Sequence, residues 1–290
     1  MNNVNILEEI EKVDGEIYER LSPRRSAMKD FFNAGKKISM AALPLAMGSM
    51  FTKAYGQTLP TAVVGVLNFA LSLEYLEYHF YNHALRAAPN LATSLVPGNA
   101  AHTAITTIRD HEDAHVKLLV AALGSSARSV LTYDNFDFTA GGTFGDVYDN
   151  YQTFLKVALA FEDTGVRAYK GQAPVLKGLS VLTTALQIHS VEARHASHLR
   201  QMVAANVTGA SGLKPWISLG AGGISNDTGV PQVDKVYARE NTVTQLDVPI
   251  TGIATGVTAA AAAESFDEFL TRAEVIDIAN LFIKTGFKLS

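Results

Sequence analysis

The sequence predicts an all-α protein: a four-helix bundle with one long crossover, followed by a long irregular C-terminal extension that ends in short helices. Three observations carry this. Four stretches place apolar residues at three- and four-residue steps, the period of one helix face. Two of the connections between them are short and marked by proline, while the middle one is long and contains Gly141-Gly142. Each stripe is also interrupted by a carboxylate in line with its core-facing residues, where an uncompensated charge would be costly.

Residues 1–56 read differently from the rest. An acidic amphipathic stretch, Ile6 to Leu21, leads to Ser22-Pro23-Arg24-Arg25-Ser26-Ala27-Met28-Lys29, then Lys36-Lys37, an apolar run over 38–51 and Ala54-Tyr55-Gly56. The apolar run is shorter than the roughly 20 residues of a membrane-crossing helix. Basic, apolar and small-x-small regions in this order describe a secretory signal peptide, and Arg24-Arg25 ahead of Met28-Lys29 resembles a twin-arginine leader. The expectation is export to the periplasm or another extracytoplasmic space, with cleavage before Gln57. No stable membrane span is then expected in the mature chain.

The bundle is expected over residues 57–208. Its first stripe runs Val63, Val66, Leu67, Ala70, Leu71, Glu74, Tyr78 and Tyr81, and Pro89 and Pro97-Gly98 break the chain after it. The second runs Ile105, Ile108, Glu112, His115 and Leu119 and stops near Gly124. Residues 124–145 have no periodicity and form the crossover, a long connection by ordinary standards. The third stripe is Tyr151, Phe154, Ala158, Glu162, Gly165 and Tyr169, ended by Gly171 and Pro174. The fourth is Val181, Ala185, Ile188, Glu192, His195, Leu199 and Met202. Short links make neighbours antiparallel, so the order describes a bundle of two helix pairs.

The extension, residues 209–290, is rich in Gly, Thr, Ser and Val up to about 256 and reads as an irregular segment wrapping the bundle. Helix is expected again over Ala259–Leu270. Thr271 offers an N-cap with Glu274 three residues on, the capping-box spacing, opening a last helix over Val275–Phe282.

Composition narrows the chemistry. The chain has 290 residues, 48% of them apolar and 18% charged, with a net charge of −4 and no cysteine. A near-neutral balance without a basic run argues against nucleic acid as a partner. The missing cysteine excludes disulfides, thiolate nucleophiles, iron–sulfur clusters and thiolate zinc sites. Any metal must be held by histidine and carboxylate.

Such residues stand on the stripes. Glu74, Glu112, Glu162 and Glu192 supply one inward carboxylate per helix, and His115 and His195 follow Glu112 and Glu192 at +3, on the same face. Six ionisable groups aimed at the centre of a bundle need compensating charge, which a pair of metal ions supplies. The halves repeat: Tyr81 follows Glu74 at +7 and Tyr169 follows Glu162 at +7, placing each tyrosine to hydrogen-bond a ligand carboxylate across the bundle and orient it. Glu77 also lies near the inward face and is an alternative or additional ligand to Glu74. His111 lies off its stripe and reads as a surface residue; His79, His83, His102, His189 and His198 read as surface residues or as outer supports of the site, the last two lying near it.

Residues 57–205 resemble the ferritin-like superfamily, in particular the bacterial ferritin-like domain proteins that include plant desiccation-related relatives. The resemblance rests on Asn68-Phe69-Ala70-Leu71-Ser72-Leu73-Glu74-Tyr75-Leu76-Glu77 with Phe80-Tyr81, and on Ala263-Glu264-Ser265-Phe266-Asp267-Glu268. It implies that Glu74, Glu112, His115, Glu162, Glu192 and His195 ligate two metal ions, iron in the first place and manganese as the alternative. Glu112 and Glu192 would bridge them, with Glu74 and Glu162 terminal. The expected activity is ferroxidase-type oxidation of Fe(II), or removal of reactive oxygen, with O₂ or peroxide as the small-molecule partner. Manganese catalase-like dismutation of peroxide is the second reading. A non-enzymatic stress or envelope protein with a structural or vestigial site is the third. The leader and the C-terminal extension speak against a storage shell, and a homodimer is an assembly compatible with the sequence.

Overall fold

A computed structural model of the protein describes residues 59–220 and 231–290, so the expected leader, 1–56, lies outside the described residues. All described residues belong to one unit within Gly48–Ser290. The fold is all-α. Four long helices, α1 (Thr61–Arg86), α2 (Ala100–Leu123), α3 (Tyr151–Gln172) and α4 (Val181–Asn206), form the bundle. α1 packs chiefly on α2, and α3 on α4, giving two helix hairpins joined by the crossover. Helix starts follow the local chemistry: Asn99 accepts from His102 N at the head of α2, and Asn150 accepts from Gln152 N at the head of α3. None of the described helices is long and apolar enough to cross a membrane.

The crossover, residues 124–150, is ordered by aromatic packing and by the C-terminus. Phe80 of α1 contacts Phe138 and Tyr148 of the crossover together with Phe154 and Phe161 of α3. Asp137 N donates to Phe282 O (2.8 Å) and Lys284 N donates to Asn135 O (2.9 Å), closing a bridge between Phe136 and Ile283.

The extension lies along the bundle. A 3₁₀ turn (Pro231–Tyr237) leads to a two-residue antiparallel pair, β1 (Thr244–Gln245) with β2 (Val248–Pro249), and then to α5 (Ala259–Glu264) and α6 (Arg272–Ala279). Two helices end earlier than the periodicity predicts, each for a tertiary reason. α5 stops at Glu264 because the following segment bonds to α3, with Leu270 N donating to Arg167 O at 3.2 Å. α6 opens on the Thr271–Glu274 capping box but ends at Ala279, because Phe282 gives its carbonyl to the crossover.

Gly171 does not end α3, which continues to Gln172. It permits contact: a Cβ there would lie 2.0 Å from Leu270 O, so only glycine lets the extension approach this closely. Arg167, one turn earlier, is fully buried and donates to the carbonyls of Val236, Ala238 and Glu268, with Glu240 Oε1 at 3.0 Å. A second buried pair links α3 to α4, where Arg200 holds both oxygens of Asp163 and Tyr237 Oη donates to Asp163 Oδ2 at 2.7 Å. One face of α3 thus binds the extension while another turns Glu162 into the bundle.

Candidate metal centre

Helical period turns four carboxylates into the middle of the bundle. Glu74 of α1, Glu112 of α2, Glu162 of α3 and Glu192 of α4 are each 0% exposed, with His115 and His195 buried beside them. The donor atoms form two overlapping groups, Glu74, Glu112, His115 and Glu192 in one, Glu112, Glu162, Glu192 and His195 in the other. Within each group the atoms lie within 4.8 Å of one another, close enough to hold a metal ion. Glu112 and Glu192 belong to both groups.

The two halves are built alike. His115 Nδ1 is 2.9 Å from Glu112 Oε2, 3.1 Å from Glu74 Oε2 and 3.1 Å from Glu192 Oε1. His195 Nδ1 is 3.0 Å from Glu162 Oε2 and 3.0 Å from Glu112 Oε1. The tyrosines cross the bundle: Tyr81 Oη donates to Glu162 Oε1 (2.6 Å), and Tyr169 Oη donates to Glu74 Oε1. Each terminal glutamate therefore gives one oxygen to a tyrosine and turns the other toward a histidine. Such bonds fix carboxylate orientation before any ion binds.

Glu77 is a fifth buried carboxylate, 3% exposed. It sits where Gly165 of α3 leaves room, since a Cβ on Gly165 would lie 3.3 Å from both Glu77 Oε1 and Glu192 Oε2. Glu77 and Gly165 occupy matching positions, three residues after Glu74 and Glu162, so the halves differ here by one carboxylate. Tyr78, placed on the inward stripe by periodicity, is only half-buried and packs edge-on against His79. His111 is likewise displaced from its expected surface role: its Nδ1 lies 2.8 Å from His195 Nε2. Its signal in the sequence was only adjacency to Glu112.

Among the described residues, Glu112 Oε1 and both oxygens of Glu192 are buried without a hydrogen-bond partner. The histidines are near these oxygens but outside hydrogen-bonding geometry. Leaving a buried carboxylate oxygen unsatisfied costs about 1–3 kcal/mol or more. A cation lying between Glu112 and Glu192 satisfies all three, and a carboxylate–imidazole set suits iron or manganese. The residues fit a metal ion.

Electrostatics of the metal-free protein agree. Burial, reinforced by mutual repulsion, pushes the Glu77, Glu112 and Glu192 carboxyls above their ordinary range. Burial also acts to raise Glu74, but the charge and hydrogen bond of His115 outweigh it and leave this carboxyl lowered. Burial opposes a charge on His195, yet Glu162 and Glu112 overcome it and hold the imidazole up to about 11; His115 is raised well above its usual range in the same way. Protonated imidazoles thus take the place of cations.

A group raised on folding contributes stability that is present below its unfolded pKa and lost as pH rises through its folded one. For His195 the window runs from about 6.5 to about 11, and the raised glutamates begin to act from about 4.5. The thermal midpoint of chelator-treated protein is therefore expected to fall between pH 6 and pH 9. Metal-loaded protein should rise over the first part of that range, because ligands must be deprotonated to bind. A metal-free midpoint that climbs with pH would contradict this electrostatic picture.

Residues 62–205 match the family model described as the ferritin-like domain. No curated protein and no solved structure matches the chain.

Proposed function

We propose, from the match of residues 62–205 to the ferritin-like domain, that this chain is an exported protein that binds a pair of metal ions, iron first and manganese as the alternative, and oxidises Fe(II) at the expense of O₂ or peroxide. The single observation that carries this is the sharing of Glu112 and Glu192 by both donor groups. A lone structural ion needs one closed set; two sets joined by two carboxylates are the arrangement for adjacent ions. Export rests on the Arg24-Arg25 leader pattern and the cleavage site before Gln57.

Glu112 and Glu192 would hold both ions, Glu74 with His115 would complete one position, and Glu162 with His195 the other. A redox-active pair bound there supplies electrons two at a time. As substrate, two Fe(II) would give the two electrons that take O₂ to hydrogen peroxide, or hydrogen peroxide to two waters, with two protons taken up in either case. Tyr81 and Tyr169 keep the terminal carboxylates aimed, and the buried setting of all four glutamates keeps bulk water away from them. A groove of about 680 Å³ between α2 and α4 reaches His195 and is bordered by His111, Arg194 and His198, giving a small oxidant a path from solvent.

The test is anaerobic addition of Fe(II) to the purified full chain, followed by air or peroxide. Expected are bound metal by elemental analysis and saturable Fe(III) formation that Glu112→Ala abolishes. Oxygen evolution from peroxide by the manganese-loaded form, faster than Fe(II) oxidation, would move the assignment to peroxide dismutation. Absence of bound metal together with unchanged Fe(II) oxidation in Glu112→Ala would overturn it.

A further inference from the structure

The ligand sets of the two halves match, but the supports behind their histidines do not. His195 turns Nδ1 toward Glu112 and Glu162. Its other nitrogen, Nε2, lies 2.8 Å from His111 Nδ1, and the two rings are stacked with centroids 5.1 Å apart. A neutral imidazole has one proton. If His195 offers its Nδ1 lone pair to a metal, that proton must sit on Nε2, where His111 Nδ1 accepts it. His111 then carries its own proton on Nε2, and both rings hold one tautomer.

His115 also turns Nδ1 inward, but its Nε2 has no protein partner among the described residues. The residue matching His111 in the second half, immediately before Glu192, is Val191, which has no polar group to offer. The difference behind the histidines comes down to the pair His111 and Val191, and is separate from the Glu77–Gly165 difference among the carboxylates.

We propose that His111 is a positioning residue that locks His195 for ligation through Nδ1, making the metal position of Glu162 and His195 the tighter one, filled before the position of Glu74 and His115. This rests on the di-metal reading above. Loss of an outer hydrogen bond to a ligating histidine typically weakens metal affinity by about 10–100-fold, so that is the size of the expected asymmetry.

The experiment is anaerobic titration of the full chain with Co(II), followed by calorimetry and by the visible absorption of bound cobalt. Wild type should take up two ions with separable affinities. His111→Ala should weaken the tighter event by about 10–100-fold and leave the weaker one unchanged. His111→Asn, whose Oδ1 replaces the Nδ1 acceptor, should restore most of the loss. Far-ultraviolet circular dichroism of metal-free His111→Ala should match wild type, which separates ligand positioning from misfolding. Equal weakening of both events, no weakening, or failure of asparagine to do better than alanine would overturn the proposal while leaving the di-metal reading standing. No Co(II) uptake by wild type would overturn both.

Discussion

Glu192→Leu is expected to weaken metal binding at both positions of the centre and, at the same time, to make the metal-free protein more stable. The two effects have one cause. Glu192 is fully buried, belongs to both donor groups and has two oxygens without a hydrogen-bond partner. In the metal-free protein it is a cost: its carboxyl is pushed well above the usual range by burial and by Glu112 and Glu162. His115 keeps Glu112 and Glu74 at 2.9 and 3.1 Å, so replacing Glu192 by leucine removes a disfavoured buried carboxyl without stranding the imidazole, and the metal-free protein should gain stability. Once ions are bound, the same carboxylate becomes a ligand to each. Four-ligand structural sites bind with roughly 10–16 kcal/mol, or about 3 kcal/mol per ligand, so its removal should weaken each position by about a hundredfold.

Glu162→Ala makes the contrast, because Glu162 belongs to only one of the two groups. It should impair one binding event and spare the other. Titration with Co(II) read by calorimetry, alongside thermal melting of chelated protein, measures both arms. Equal effects of Glu192→Leu and Glu162→Ala on the two events would remove the basis for a shared, bridging carboxylate.

Arg167→Met should lower stability by about 3–5 kcal/mol, the range for breaking a buried ionic network on one side. Arg167 joins α3 to three carbonyls of the extension and to Glu240, which is 3% exposed. Methionine fills the space of the stem but frees those carbonyls in a buried setting and leaves Glu240 without its counter-ion. For a protein of this size that corresponds to roughly 10 °C in thermal midpoint. Adding Glu240→Gln removes the stranded charge and should recover part of the loss, though not the carbonyls. A midpoint within about 2 °C of wild type would mean that the extension is a separable tail. The expected result makes it part of the bundle's own core, holding the helix that carries Glu162 and Tyr169.

Much of the centre is legible from the linear chain because a helix converts spacing into direction. Glu112 and His115, or Glu192 and His195, share a face by virtue of a three-residue step, and the repeat of Glu74–Tyr81 in Glu162–Tyr169 marks two halves of one site. Glu77 and Tyr78 show where that logic blurs, since neighbouring positions differ by only about 100° around the axis, and packing decided that Glu77 turns inward. His111 fell on the wrong side of the same boundary, because its partner is on another helix 84 residues away.

The extension was the least legible part. Nothing local in Arg167, Asp163 or Gly171 announces a contact with residues some 70–100 positions later, and the ends of α5 and α6 are set by hydrogen bonds to α3 and the crossover. The sequence alone determined the fold class and that Glu74, Glu112, His115, Glu162, Glu192 and His195 turn into the bundle, because helical periodicity is a local property of the chain. Only the tertiary structure decided that His111 stands behind His195, that Glu77 fills the space Gly165 leaves, and that Arg167 ties α3 to the extension. Those facts depend on how helices pack against one another, and packing is set by contacts between residues that have no spacing in common.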